Sequence, residues 1–418
     1  MNWPDTVCYP DVPDLLPEGL DGSTSGAGFW VPLVSSVKKA VSIPVIATGG
    51  IDAELAEKIL RQGNADFIGM TRRLLADPEL PNKVAAGRLE DIAPCTRCLS
   101  CLDRIHSHPM PGRSCCRVNA SLTREREYEI KPAVEKKKVM VVGGGPAGME
   151  AARVVALRGH EVVLYEKEPR LGGSIPVAAT IKGLEIEDLP ALVRYLSTQI
   201  TRLGVKISLG KEVDKALVEK VKPDVLILAT GGQYALPEIP GIDSGNVVRP
   251  AVLNRRLKKY LRFAEPGLLA WATKFWMPIG KRVVIIGGAI QALQLAAFLV
   301  KRGRKVTVVD TAEEMGDGLV EFYKMRLFWW LEQKGVPLLS GVKYEEITDK
   351  GLTITTKEGE KKILAADTII PALPMEPDTA FAKSLEGTAP EIYRIGDCGD
   401  SALIIDAIGD GSRIGRAI

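Results

Sequence analysis

Cys95, Cys98 and Cys101 stand two residues apart, and Cys115 and Cys116 follow, so five of the seven cysteines crowd into one short stretch. Three thiolates at that spacing can wrap a single cubic iron–sulfur cluster, with a more distant fourth closing the cage. A zinc site would more often show two separated Cys-x-x-Cys pairs, and only one compact triplet is present. Zinc, a disulfide or free thiols stay open as alternatives, and a 4Fe–4S cluster is the expectation.

Two further stretches have the spacing of nucleotide chemistry. Val139–Val142 is an apolar strand run that leads into Gly143, Gly145 and Gly148, a G-x-G-x-x-G pattern, and Val162–Tyr165 then ends in the acid Glu166. The glycines let a pyrophosphate rest on backbone N–H groups at a helix N-terminus, and the acid accepts from a ribose hydroxyl. Leu171-Gly172-Gly173 forms a turn that can lie against the same phosphates, and Gly396-Asp397 follows a strand-like run near the end.

The second fingerprint begins at Lys281 and runs through Gly287, Gly288, Ala289 and Ala292, with alanine at the second and third glycine positions. The third position tolerates alanine, whereas a methyl at the second crowds the pyrophosphate. Val306–Val309 ends in Asp310, which would accept from the 2′-hydroxyl of NAD and repel the 2′-phosphate of NADP. No arginine follows it directly, so NADH is the expected donor and NADPH the less favoured one.

These residues need elements to hold them. Ser42–Gly50 reads as a buried parallel strand ending in a glycine turn, followed by a helix over 53–62 with Asp52 as N-cap. Ala65–Met70 reads as a second strand, leading into Thr71-Arg72-Arg73 and another helix. That rhythm is the last two units of a (β/α)₈ barrel, whose final loops often hold a phosphate; Gly50 and Arg72 would be its partners. A full barrel needs about 250 residues, more than twice what precedes the cysteines. The charged run 123–138 reads as a linker.

The expected class is therefore α/β. A partial (β/α)₈ remnant (1–90) precedes a 4Fe–4S cysteine segment and linker (91–135). A Rossmann-like FAD domain (136–277 and 366–418) follows, with an inserted Rossmann-like NAD(P)H domain (278–365).

With 55 Lys and Arg against 52 Asp and Glu, the chain lacks the basic footprint of a nucleic-acid binder. No signal peptide or eighteen-residue apolar run is visible. Pro266–Pro278, with Leu268, Trp271, Phe275 and Trp276, comes nearest to a membrane-surface helix, and a connector helix packed on the body is the expectation. Clustered cysteines without an export signal point to a reducing cytoplasm.

Taken together, the chain resembles the C-terminal two-thirds of the multidomain old-yellow-enzyme relatives: 2,4-dienoyl-CoA reductase, trimethylamine dehydrogenase and clostridial-type enoate reductases. The resemblance rests on Ile43–Gly50, Gly69–Pro78, the cysteines, both fingerprints and Gly396-Asp397. It implies FMN phosphate at Gly50 and Arg72, although binding of FMN is doubtful where most of its ring pocket is missing. It implies 4Fe–4S ligands Cys95, Cys98, Cys101 and Cys116, because the family's fourth cysteine lies three residues before the asparagine that is Asn119 here.

FAD or ADP would lie at Gly143, Gly145, Gly148, Glu166, Gly173, Gly396 and Asp397, and NAD at Gly287, Gly288, Ala289, Ala292 and Asp310. The activity implied is NADH to FAD to cluster to FMN, ending in reduction of an activated C=C bond of an enoate or enoyl-CoA-type substrate. An oligomer is expected, with a partner polypeptide supplying the other barrel strands. The family's catalytic tyrosine and histidine have no counterparts: Trp3-Pro4-Asp5 has proline where histidine is expected, and His106, His108 and His160 read as exposed loop residues. Catalytic residues are therefore unknown. An amine dehydrogenase like trimethylamine dehydrogenase, or a non-catalytic nucleotide-binding subunit, is the alternative.

Overall fold

The structure, a computed structural model, describes residues 28, 30–106, 115–181, 188–399 and 403–418. Trp3-Pro4-Asp5 and His108 lie outside these residues.

Two parallel sheets dominate. The first has five strands in the order Glu391–Arg394, Val225–Leu228, Lys138–Val142, Glu161–Glu166, Lys206–Leu209. Its central strands are continuous apolar runs, as expected of strands covered on both faces; Val225–Leu228 is buried throughout. The second sheet has four strands in the order Leu338–Leu339, Lys305–Val309, Arg282–Ile286, Thr368–Pro371. Its last strand lies beyond residue 365, because Thr368–Pro371 pairs in parallel with Arg282–Ile286 and completes the apolar layer there.

An antiparallel three-stranded sheet (Lys343–Thr348, Gly351–Thr355, Lys361–Ala365) packs on the second sheet through Ile347, Leu352 and Ile354. The crossings between the two halves, Gly232–Tyr234 and Met375–Pro377, pair with each other.

Ahead of these sheets, Ile46–Ala47 and Phe67–Ile68 pair in parallel, each only two residues long. Asp52 caps the helix Ala53–Arg61, its Oδ1 accepting from the Leu55 N–H at 2.9 Å. Ala47, Ile51, Ala56, Ile59 and Ala65 form a small core. The strand expected to be buried is covered on one side only: Ala47 is fully buried, whereas Ile43, Ile46 and Phe67 are exposed.

The linker carries no helix or strand over 123–137, yet it is held in place. The Tyr128 ring lies under the Arg124 and Arg416 guanidiniums, and Arg416 Nε donates to the Tyr128 carbonyl at 2.8 Å. Among the described residues no helix is long and apolar enough to cross a membrane.

Candidate functional site

The first fingerprint owes its shape to contacts that only glycine permits. Gly143 has φ +112°, and a Cβ there would meet the Ala229 carbonyl oxygen at 2.2 Å. At Gly148 a Cβ would lie 2.0 Å from the Gly143 oxygen, so the helix Pro146–Leu157 sits directly on its loop. Glu166 is buried; its Oε2 accepts from the Gly144 N–H and its Oε1 from the Glu168 N–H, each at 2.7 Å. Gly172 N–H donates to the Gly144 oxygen at 2.8 Å, bringing Gly173 against Gly145. Gly396 (φ +65°) abuts Ala147 at the start of the same helix. The seven residues expected around FAD thus converge on one helix N-terminus, and Asp397, next to Gly396, is pushed up to about 6 by burial. Burial, and then the Asp397 charge, push the Tyr234 hydroxyl up to about 12.

The second fingerprint repeats this construction. Gly287 (φ +117°) would meet the Ala372 oxygen if it bore a Cβ. Ala289 has φ −77° and ψ 176°, close to the −75° and −179° of Gly145, so alanine fits the backbone there. The fully buried Ala292 methyl occupies the place where Gly148 admits none. Asp310 stands over Gly288, with its Oδ2 2.8 Å from where a Cβ would be, and its Oδ1 accepts from the Ala312 N–H at 3.0 Å.

Gly316 N–H donates to the Gly288 oxygen at 2.7 Å, the counterpart of Gly172 on Gly144. Sequence reasoning missed Gly316. The signal was present in Met315-Gly316, which matches Leu171-Gly172 in packing a long apolar side chain over the second glycine of each loop.

The cysteines and the barrel-type loops meet at one cavity of about 160 Å³, lined by Gly49, Gly50, Arg72, Arg73, Cys95 and Arg97 among others. Gly49 (φ +113°) is covered by Trp30, whose Cδ1 lies 2.7 Å from where a Cβ would be, whereas Gly50 (φ +69°) faces only the Arg97 guanidinium, 3.9 Å from such a Cβ. Three guanidiniums line it, with Asp52 paired to Arg73 at 3.7 Å, so the space suits an anion. Burial, and behind it the neighbouring Arg97 and Arg72 charges, hold Arg73 below its usual range, against the pull of Asp52.

Within the cysteine loop Arg97 (φ +60°) and Leu99 (φ +58°) both take the left-handed conformation that non-glycine residues rarely adopt. Cys98 and Cys101 are buried, and Thr96 beside them is buried with its hydroxyl unpartnered among the described residues. Burial raises the Cys101 thiol, and the Cys98 and Cys95 thiolates add to it; burial pushes Cys116 up to about 11, with Cys98 and Cys101 adding to it. Cys116 is therefore within electrostatic reach of the triplet, whereas Cys115 Sγ lies 3.5 Å from the Thr123 hydroxyl.

Among the described residues no three His, Cys, Asp or Glu side chains converge on a single metal ion. A four-iron cluster asks something different, one thiolate per iron around a larger body. The left-handed turns at Arg97 and Leu99, which lie between Cys95, Cys98 and Cys101, and the buried Thr96 hydroxyl would fit such a body.

His160, expected at an exposed turn, is buried instead, and its Nδ1 accepts from the Lys137 N–H at 3.1 Å. That bond ties the turn to the first sheet, and burial lowers the imidazole's affinity for a proton.

Residues 137–411 match the family described as pyridine nucleotide-disulphide oxidoreductase. The chain belongs to that family. Residues 25–91 match the NADH:flavin oxidoreductase / NADH oxidase family. This order makes the chain an old-yellow-enzyme-like multidomain flavoprotein, in line with the resemblance seen in the sequence.

The NADH oxidase of Thermoanaerobacter brockii is 33% identical over 406 residues, 96% of this chain and 59% of that protein. The cinnamate reductase of Clostridium sporogenes is 30% identical over 396 residues, 94% of this chain and 56% of that protein. A solved complex of 2-naphthoyl-CoA reductase with 2-naphthoyl-CoA superposes with a TM-score of 0.82 at 33% identity, covering 94% of this chain and 57% of that one. The chain spans less than three fifths of each.

Proposed function

We propose that this chain is the NADH-oxidising, electron-transferring part of an iron–sulfur flavoprotein that reduces an activated C=C bond of an enoate or enoyl-CoA-type substrate. One observation carries the reading: the cysteine loop and the barrel-type anion loops line the same cavity, Cys95 and Arg97 together with Gly50 and Arg72. When bound, nicotinamide, flavins and cluster supply the hydride and single-electron chemistry.

The residues of this chain do the rest. The N–H groups around Gly145 receive the FAD pyrophosphate at a helix N-terminus, while Glu166 and Asp310 hold ribose hydroxyls of FAD and NADH. Cys95, Cys98, Cys101 and Cys116 hold the cluster. Arg72 and Arg97 fix the FMN phosphate, and Thr96 offers the cluster a hydroxyl donor in a dry setting. Clustered thiols kept available to iron accord with a reducing cytoplasm as the chain's compartment.

Further βα units, on a partner polypeptide or elsewhere, would cover Ile43, Ile46 and Phe67 and bring the proton donor for the C=C bond. The resemblance to a cinnamate reductase and to 2-naphthoyl-CoA reductase supports that substrate class.

The test is cofactor content and turnover of the purified chain after anaerobic reconstitution. Expected are iron near four per chain, one FAD and NADH-dependent reduction of an artificial acceptor. A chain holding neither iron nor flavin would overturn the reading.

A further inference from the structure

Between the two nucleotide units the chain makes a helical hairpin, Pro250–Leu261 and Pro266–Ala272, continued by Phe275 and Trp276. Its inner face is aliphatic: Leu253, Leu257, Leu261 and Leu269 are turned toward the body. Its outer face is unlike an ordinary solvated surface. On the first helix Val252, Arg255, Arg256, Lys259 and Tyr260 are exposed at i, i+3/i+4 spacing, and the stripe runs on to Phe263, which is 88% exposed. On the second, Leu268, Trp271 and Phe275 continue such a stripe, with Phe275 74% and Trp276 73% exposed. Trp271 and Phe275 pack edge to face at 4.8 Å, so the rings form a patch rather than scattered singles.

The expected connector helix is thus packed on the body by one edge only. The hairpin is nonetheless held firmly. Half-buried Arg302 donates to the Ala270 oxygen at 2.7 Å and to the Thr273 hydroxyl at 2.8 Å. Arg170 donates to the Leu261 oxygen at 3.2 Å, and Arg262 pairs with Glu168 at 2.9 Å. Fixed in place, the aromatic rings cannot fold back onto the body.

We propose that this hairpin seats the protein on the surface of an anionic lipid bilayer. Residues 250–276 hold six cations against the single acid Glu265, so the patch carries a strong positive excess. Cores of protein interfaces are depleted in lysine and in charge generally, whereas here charge and rings interleave along one face. A headgroup layer accommodates both: anionic phosphates answer the distributed cations, and Trp, Tyr and Phe partition at the level of the headgroups. The inference stands independently of the proposed activity.

Co-flotation of the full chain with vesicles tests it, using phosphatidylcholine alone and phosphatidylcholine with about 30% phosphatidylglycerol. The chain is expected to float with the anionic vesicles only, to be released as salt rises, and to show blue-shifted tryptophan emission when bound. Replacing Arg255, Arg256 and Lys259 by Gln should lower partitioning roughly a hundredfold, about fivefold per charge. Trp271→Ser with Phe275→Ser should reduce the emission shift, leaving only the share from Trp276; these positions are exposed, so the fold, checked by circular dichroism, should be unchanged. Equal partitioning to both vesicle types, or none to either, overturns the proposal. So does a dimer in sedimentation equilibrium that Trp271→Ser with Phe275→Ser dissolves, since a second copy would then cover the face.

Discussion

Asp310 and Glu166 hold equivalent places, each at the end of a strand beside the second glycine of its loop, and each accepting from the N–H two residues on. The difference lies in what remains. Glu166 also takes the Gly144 N–H, which fixes its carboxylate, while Asp310 is left over Gly288 with one oxygen directed into the loop. Asp310→Ala should therefore weaken NADH binding roughly ten- to hundredfold and leave NADPH nearly unchanged, as read by calorimetry. Equal losses for both would remove the basis for the NADH preference.

For the cysteines, Cys116→Ala should lose the cluster's iron and sulfide, whereas Cys115→Ala should keep them, because Cys116 stands three residues before Asn119, where the resemblance puts the fourth ligand. At Asp397 partial burial pushes the carboxyl up to about 6, so between about pH 4 and 6 the folded chain holds a proton that the unfolded chain releases. Stability of the flavin-free protein should fall as pH rises through that window. Asp397→Asn should flatten the slope in denaturant titrations.

At the scale of elements, the helix Ile404–Ala417 packs on Pro146–Leu157 through glycines. A Cβ at Gly411 would lie 2.4 Å from the Ala147 oxygen, and one at Gly415 would lie 2.8 Å from Val154 Cβ. Gly411→Ala should push the two helices apart at the FAD loop and cost about 1–3 kcal/mol, with faster flavin loss on dilution. Unchanged flavin retention would mean that this contact does not hold the loop.

Both fingerprints were legible in the sequence because each is local: strand, glycines, helix and acid lie within some thirty residues. What escaped was non-local or two-sided. The strand Thr368–Pro371 joins the second sheet through a partner more than eighty residues away; Gly316 is the exception, as near to Gly288 as Gly172 is to Gly144. Sequence patterning marked the helix near Pro266 as amphipathic, but only packing shows that its aromatic side faces out.

For the whole molecule, the cysteine segment is a shared joint. Tyr323, on the helix Glu321–Gln333 of the second nucleotide unit, donates from its hydroxyl to the Arg97 carbonyl at 2.8 Å. The Glu321 N–H donates to Asp103 at 3.1 Å, and Arg104 faces Asp406 of the FAD-side helix at 3.9 Å. Barrel-type loops, both nucleotide units and the thiols therefore touch one loop held in a left-handed turn at Arg97. Tyr323→Phe should cost about 0.5–1.5 kcal/mol and hasten loss of the cluster in air, while leaving NADH affinity unchanged.

The most direct measurement is an anaerobic titration of the reconstituted chain with NADH, followed by absorption. Bleaching of the flavin band, followed by that of the iron–sulfur band, is the predicted result. A chain that carries both groups yet bleaches neither on NADH addition would contradict the account.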